Sequence, residues 1–343
     1  MSDIYDLNNY YFFLPKELIA QRPIEPPDTS RLLILDRKTS KISQDIFKNL
    51  INFLDKNDVL VLNDTKVIKA RLFANKKTGA KIEVLLVKKN QNFYEALCRP
   101  NKRVKIKDIL YFQGDFKAKV VEKKENGLVV LDFFNQDLSC LIEEFGKTPL
   151  PHYIKNDIEL SKYQTVYAKK EGSIACPTAG LHFTEELLNK LIEKNIKVLY
   201  VTLHCGLATF RPIKEKDIRN HKIEPEFAEI SESVANEINE AKKESKRIIA
   251  VGTTTTRILE GCSIIENNKV YLKQFCGEVG LYITPGYKFK IVDSLITNFH
   301  TPYSTNLVLV VSFCGLDLIR KAYEYAIKEK FRFFSFGDAM FIV

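Results

Sequence analysis

The sequence predicts an α/β protein: a discontinuous α/β domain, built from both ends of the chain, with a small all-β domain inserted in it. Three observations predict this. Between about Arg71 and Phe134, short β-prone runs follow one another, punctuated by Gly79, Asn90, Asn101, Gly114 and Asn126-Gly127, the texture of a barrel or sandwich. Outside that stretch, apolar strands alternate with amphipathic helices, as in a sheet covered by helices. Pro149 and Pro151 mark the passage back from one texture to the other. The expected division is 1–68 with 152–343 for the α/β domain and 69–151 for the insert, and 343 residues with 45% hydrophobic content suffice for two cores.

The elements follow in order. Pro15, Pro23, Pro26 and Pro27 force an extended or turning path at the start. Leu32 to Leu35 reads as a strand. Asp45 to Leu54 reads as an amphipathic helix with Ile46, Leu50, Phe53 and Leu54 on one face. Val59 to Leu62 is a buried strand ending in the turn-prone Asn63-Asp64-Thr65. In the insert, strands are expected at Lys81–Val87, Phe93–Cys98, Val104–Ile106, Ile109–Phe112, Phe116–Glu122 and Leu128–Phe133. Beyond it come a helix at Glu185–Glu193 capped by Thr184, a strand at Val198–Leu203 and a helix at Val234–Glu244 behind Ser233. A strand at Ile248–Val251, a helix opening at Thr255–Glu260 and an amphipathic helix at Leu316–Lys328 complete the pattern.

Bulk properties narrow the function classes. Lys and Arg outnumber Asp and Glu by 52 to 43, a formal charge of +9 that suits a polyanionic partner such as a nucleic acid. The seven cysteines are scattered without C-x-x-C spacing, so reduced buried thiols are expected rather than a zinc site or a disulfide framework. The start lacks a basic stretch followed by an apolar one, and the apolar run Leu307–Phe313 is far shorter than a bilayer span of about 20 residues. A cytoplasmic monomer with no membrane contact is the expectation.

Four segments dense in small polar residues follow or replace strands: Pro177–Phe183, Thr202–Gly206, Val251–Arg257 and Thr297–Thr305. Ligands of α/β sheets bind outside the carboxyl ends of strands, where such loops gather. Three of the five histidines, His182, His204 and His300, fall in them as candidate acids or bases. Their spacing matches no zinc motif, and no metal is expected. Val251-Gly252 followed by four threonines stands where a helix N-terminus can take an anion. It is neither a P-loop nor a dinucleotide loop. The segment Lys328–Asp338 interleaves basic and aromatic residues, which suits either base stacking or a core strand with one charged edge.

On these residues the chain resembles the S-adenosylmethionine:tRNA ribosyltransferase-isomerase family of queuosine biosynthesis. The resemblance runs nearly end to end, through Leu14–Gln21, Ser30–Leu33, Asn63–Ile68, Gly79–Val84, Tyr163–Ala168 and Pro177–Phe183, then Val201–His204, Val251–Thr254, Ile283–Tyr287, Thr297–His300 and Phe334–Met340. It implies an α/β domain with an inserted small antiparallel β-barrel domain. It also implies S-adenosylmethionine as a consumed co-substrate, and tRNA carrying 7-aminomethyl-7-deazaguanine at the wobble position as partner. The implied product is epoxyqueuosine-tRNA, with release of adenine and methionine.

That reaction sets demands on the residues. A base must remove a ribose proton acidified by the sulfonium; His182, His204 and His300 are the candidates, and the choice stays open. Thr178, Gly180, Gly252, Thr253, Thr254, Arg257 and Asn298 are the expected S-adenosylmethionine contacts. Glu83 or Asp338 would accept from the deazaguanine edge, with Arg31 and Arg332 as further substrate contacts. The chain departs from the family pattern at Leu207-Ala208, where a second Gly is usual, at Glu224, in place of a histidine, at Thr256, in place of an apolar residue, and at Lys69, in place of a proline. Ala208 is the departure that bears on backbone conformation, if the family glycine needs positive φ.

Overall fold

The computed structural model describes residues 3–206 and 212–343; Leu207 and Ala208 therefore lie outside the described residues. In chain order, β1 (Arg31–Leu35) and β2 (Ile42–Ile46) form a hairpin, followed by β3 (Asp58–Asn63) and β4 (Thr65–Val67). Next come β5 (Arg71–Asn75), β6 (Lys81–Asn90), β7 (Phe93–Arg99), β8 (Ile109–Tyr111), β9 (Lys117–Lys123) and β10 (Val129–Asp132). After β11 (Lys170–Ser173) the chain alternates: α1 (Glu185–Glu193), β12 (Lys197–Leu203), β13 (Glu226–Ile230), α2 (Glu232–Lys243), β14 (Arg247–Val251) and α3 (Thr253–Gly261). The hairpin β15 (Ser263–Glu266) and β16 (Lys269–Leu272) leads to β17 (Phe275–Val279) and β18 (Ser294–Asn298). Then α4 (Thr305–Cys314), α5 (Leu316–Lys328) and β19 (Ala339–Ile342) close the fold.

Nine strands form one sheet in the order β17-β13-β12-β3-β14-β18-β19-β1-β2. Its centre, β12-β3-β14-β18, is parallel, so Leu203, Asn63, Val251 and Asn298 end at one edge. All six residues of β3 are buried, as a central parallel strand covered on both faces requires. Strands β5 to β10 close into an antiparallel six-stranded barrel. Alternation fills its interior: Leu72, Ala74, Ile82, Val84 and Leu86 point in, while Phe73, Glu83 and Leu85 point out. The chain arrives at and leaves the barrel side by side, with Arg71 and Lys147 exchanging both backbone hydrogen bonds, at 3.3 and 2.8 Å.

Local chemistry explains several boundaries. Thr184 Oγ1 accepts from the Leu187 amide at 3.0 Å and caps α1 where the sequence places the cap. Helix α2 is capped by Ser231 rather than Ser233. The expected helix at Asp45–Leu54 is instead the end of β2 followed by a 3-10 helix at Phe47–Phe53. Phe47 and Leu50 are one 3-10 turn apart, and the tighter form buries both. The expected strand at Val104–Ile106 is a turn: Lys105 N donates to Asp108 Oδ2 at 2.7 Å, and Lys107 has φ 73°. In Lys328–Asp338 the aromatics Phe331, Phe333, Phe334 and Phe336 are all buried. Phe331 and Phe333 pack on Phe299, so these two rings are core packing on an irregular backbone.

Candidate active site

A cavity of about 380 Å³ opens at the edge where the four parallel strands end. Strand β14 turns into α3 through Gly252, whose φ of 91° only glycine adopts without strain. No side chain caps α3, so the amides of its first turn remain open to a ligand. Asn63 anchors the neighbouring end: its amide donates to the Leu203 carbonyl and to Thr254 Oγ1, and Leu203 N donates back to its Oδ1. Thr253 Oγ1 donates to Asn306 Oδ1 at 3.0 Å across the cavity wall.

Asn298 organises the opposite wall. The Phe334 carbonyl accepts from its Nδ2 at 3.1 Å, and Thr178 Oγ1 donates to its Oδ1 at 3.3 Å. The same Nδ2 meets His182 Nε2 at 3.2 Å. Because a carbonyl fixes Nδ2 as the donor, His182 Nε2 must accept, and its Nδ1–H donates to Ser30 Oγ at 2.7 Å. His182 is 4% exposed, stacks on Phe47, and is held neutral by burial, with its pKa lowered to about 3. It positions Asn298 from behind.

The structure thus divides the residues that the sequence singled out. Thr178, Gly252, Thr253, Thr254, Asn298 and His300 line the cavity together. His300 Nε2 lies 2.8 Å from Thr297 Oγ1, its backbone N–H donates to Tyr323 Oη, and burial lowers its pKa. His182 and His204 do not line it. His204 stacks on Phe227, bonds Thr65 Oγ1 through Nδ1 at 2.8 Å and lies against Gly172. Gly180 is a packing position, since a Cβ there would overlap the Tyr167 hydroxyl. Arg257 faces inward from α3, in a buried ion pair with Glu226.

The expected substrate contacts are likewise scattered. Asp338 is 1% exposed, and its two oxygens accept from the Arg31 and Arg332 amides at 3.0 and 2.7 Å, tying the last loop to β1. Arg31 lies over the Phe331 ring at 3.7 Å, and Arg332 donates to the Arg22 carbonyl. Glu83 sits apart, on the outer wall of the barrel beside a second cavity of about 390 Å³. Glu224 accepts from Asn126, joining the main body to the barrel.

Sequence reasoning missed His152. It follows the Pro149–Pro151 connection and lies on the walls of both cavities, where its ring meets Tyr153 edge-on. Tyr153 and Ser335, bonded at 2.7 Å, were also missed. Among the described residues, the strand-end cavity has no Lys, Arg, Asp or Glu in its wall: it is a chamber of hydroxyls, amides and two histidines. The described residues contain no group of three His, Cys, Asp or Glu side chains placed to hold a metal ion, and no helix long and apolar enough to cross a membrane.

A doubly covered sheet with a ligand chamber at its parallel strand ends, and a barrel beside it, defines an α/β enzyme with an accessory β domain. Comparison with known proteins gives the family. Residues 7–342 match the family model described as queuosine biosynthesis protein. The chain is similar to the S-adenosylmethionine:tRNA ribosyltransferase-isomerases of Halothermothrix orenii (48% identity; 98% of this chain and 99% of that one) and Fusobacterium nucleatum (47%; 98% and 96%). It is also similar to the crystal structure of S-adenosylmethionine tRNA ribosyltransferase from Thermotoga maritima (37% identity, 98% and 100% coverage, TM-score 0.56). The chain belongs to the queuosine biosynthesis protein family and is an enzyme of the ribosyltransferase-isomerase class.

Proposed function

We propose that this enzyme transfers the ribosyl moiety of S-adenosylmethionine onto 7-aminomethyl-7-deazaguanine in the tRNA wobble position and isomerises it, giving epoxyqueuosine-tRNA with release of adenine and methionine. The observation that carries the reading is the make-up of the strand-end cavity, in a chain that matches its relatives over nearly its whole length. Open amides at the start of α3 suit a carboxylate such as that of the methionine part. Thr178, Thr253, Thr254 and Asn298 supply hydroxyl and amide contacts for a ribose.

The reaction needs a base beside the sulfonium-activated ribose carbon. With no carboxylate or lysine in the described wall, that role falls to a histidine, and His300 stands on the strand-end loop itself. Its ring is neutral at physiological pH, and with Nε2–H donating to Thr297 Oγ1 the Nδ1 lone pair is the one that takes the proton. His182 keeps Asn298 aimed; orientation of this kind contributes about 7–11 kcal/mol in well-aligned reactions. The basic charge balance suits the RNA partner. We assign 1–68 and 152–343 to the catalytic domain, 69–151 to the barrel domain, and a cytoplasmic monomer to the working state.

The test is turnover with S-adenosylmethionine and precursor-bearing tRNA, following free adenine and the nucleoside mass. Adenine release together with the epoxyqueuosine mass is the expected result. S-adenosylhomocysteine in place of adenine and methionine would overturn it in favour of methyl transfer.

A further inference from the structure

The second cavity lies on the outer wall of the barrel, under the Pro149–His152 connection, and adjoins the strand-end cavity along Pro151 and His152. Its floor is set by register. On the hairpin β6–β7, Leu85 pairs with Leu97 and Glu83 with Arg99, and alternation puts all four on the outward face. The leucines form an apolar shelf, with the carboxylate and guanidinium side by side at its end. Arg71, opposite Leu85 on β5, reaches the same place and bonds Glu83 Oε2 through one terminal nitrogen at 3.2 Å.

The polar groups of this shelf are incompletely used. Arg71 Nε is buried without a hydrogen-bond partner. Glu83 Oε1 has none among the described residues, and Arg99 makes no ion pair among them. The pocket therefore offers an apolar floor, a carboxylate able to accept two adjacent N–H groups, and guanidinium donors beside it. A guanine-type edge is the complement of that set: N1–H and the exocyclic 2-amino group are adjacent donors, and O6 is an acceptor.

We infer that this barrel pocket reads the Watson–Crick edge of the target base, with Glu83 accepting from N1–H and the 2-amino group and Arg99 donating to O6. The inference rests on the ribosyl-transfer reading above and extends it to a division of labour. The barrel holds the base by its pairing edge, while the adjoining Hoogsteen edge, which bears the aminomethyl group next to O6, faces past His152 into the strand-end chamber. An anticodon-loop base is single-stranded, so its pairing edge is free to be read in this way.

The experiment measures binding of two anticodon stem-loop RNAs, identical except for guanosine or inosine at the wobble position, by fluorescence anisotropy. Inosine lacks the 2-amino group and keeps O6. Wild-type protein is expected to prefer the guanosine loop by about 10-fold or more, the range of one well-formed base-edge contact. Glu83→Gln replaces an acceptor by a donor facing a donor and should bring the ratio to about 1. Arg99→Gln, on an exposed outward position, should weaken both loops alike and leave the ratio in place. Equal wild-type affinities for the two loops, or a ratio that survives Glu83→Gln, would overturn the inference. Adenine release from S-adenosylmethionine with precursor-bearing tRNA, run on the same preparations, separates the two readings. Turnover without the guanosine preference defeats the pocket assignment alone, whereas the preference without turnover defeats the ribosyl-transfer reading and leaves base reading intact.

Discussion

Lowering the pH from 7 to 5 should cost this protein stability through one buried ring, His182. In the unfolded chain its imidazole takes up a proton near its ordinary value of about 6.5. In the folded chain, burial first and the nearby Arg332 second hold the pKa down to about 3. A depressed pKa means that the unfolded state binds more protons between these values, so the stabilisation is present above pH 6.5 and is lost as the pH falls toward 3. The limiting slope is about 1.4 kcal/mol per pH unit. Integrated from pH 7 to 5, His182 alone accounts for roughly 2 kcal/mol. Urea unfolding at both pH values, on the wild type and His182→Gln, isolates this contribution, because glutamine does not titrate and every other group is common to the pair. The wild type should lose about 2 kcal/mol more than the variant over that interval. Equal losses would refute the reasoning, because they would mean that the folded ring accepts a proton as readily as a free one, which the Ser30 and Asn298 bonds forbid.

The remaining predictions concern single side chains. Gly180→Ala drives a methyl into the Tyr167 hydroxyl and should destabilise by about 1–3 kcal/mol in urea titrations, with Tyr167→Phe in the same chain restoring part of the loss. Arg257→Leu strands Glu226 in the interior and should cost about 3–5 kcal/mol; adding Glu226→Gln should recover much of it, and a selective rise in KM for S-adenosylmethionine would argue for a ligand contact instead. His300→Gln should lower turnover by about 10²- to 10⁴-fold while calorimetric binding of S-adenosylmethionine stays within a few-fold. Affinity for tRNA should fall with salt, at a log–log slope of about −0.7 per neutralised phosphate, and a flat response would contradict the polyanion reading of the +9 charge.

What the sequence discloses here is what short-range chemistry decides. Helix α1, with Thr184 in place as its cap, and helix α5, from Leu316 to Lys328, are legible because cap and apolar spacing lie within one segment. The strand-end loops are legible as a group because Gly, Thr and His cluster there, and several of their residues do line one chamber. Direction is what the sequence withholds. Asp338 looks like an exposed loop acid, yet its partners include the backbone of Arg31, 307 residues away, and it is buried. Arg257 sits on the inward face of α3 only because Glu226, on β13, comes alongside. His152 reads as part of a proline-marked connection, and closure of the barrel against the sheet is what gives it two cavities to face. Of the three strand-end histidines, one reaches the chamber and one braces it from behind, a distinction that rests on side-chain packing and leaves no trace in spacing.

The central strand has a consequence for how the chain is made. Strand β3 is finished by Asn63, but its two flanking partners lie at Lys197–Leu203 and Arg247–Val251. During synthesis at about 5–20 residues per second, its uninterrupted apolar run must wait on the order of ten seconds or more for both neighbours to leave the ribosome. The barrel, whose hairpins pair strands close in sequence, can close within that interval. Strand β1 waits longer still, since the parallel partner it needs runs from Ala339 to Ile342. A nascent chain of this design passes most of its translation as a finished barrel tethered to an unsheltered half-sheet, the state in which a chaperone would find it.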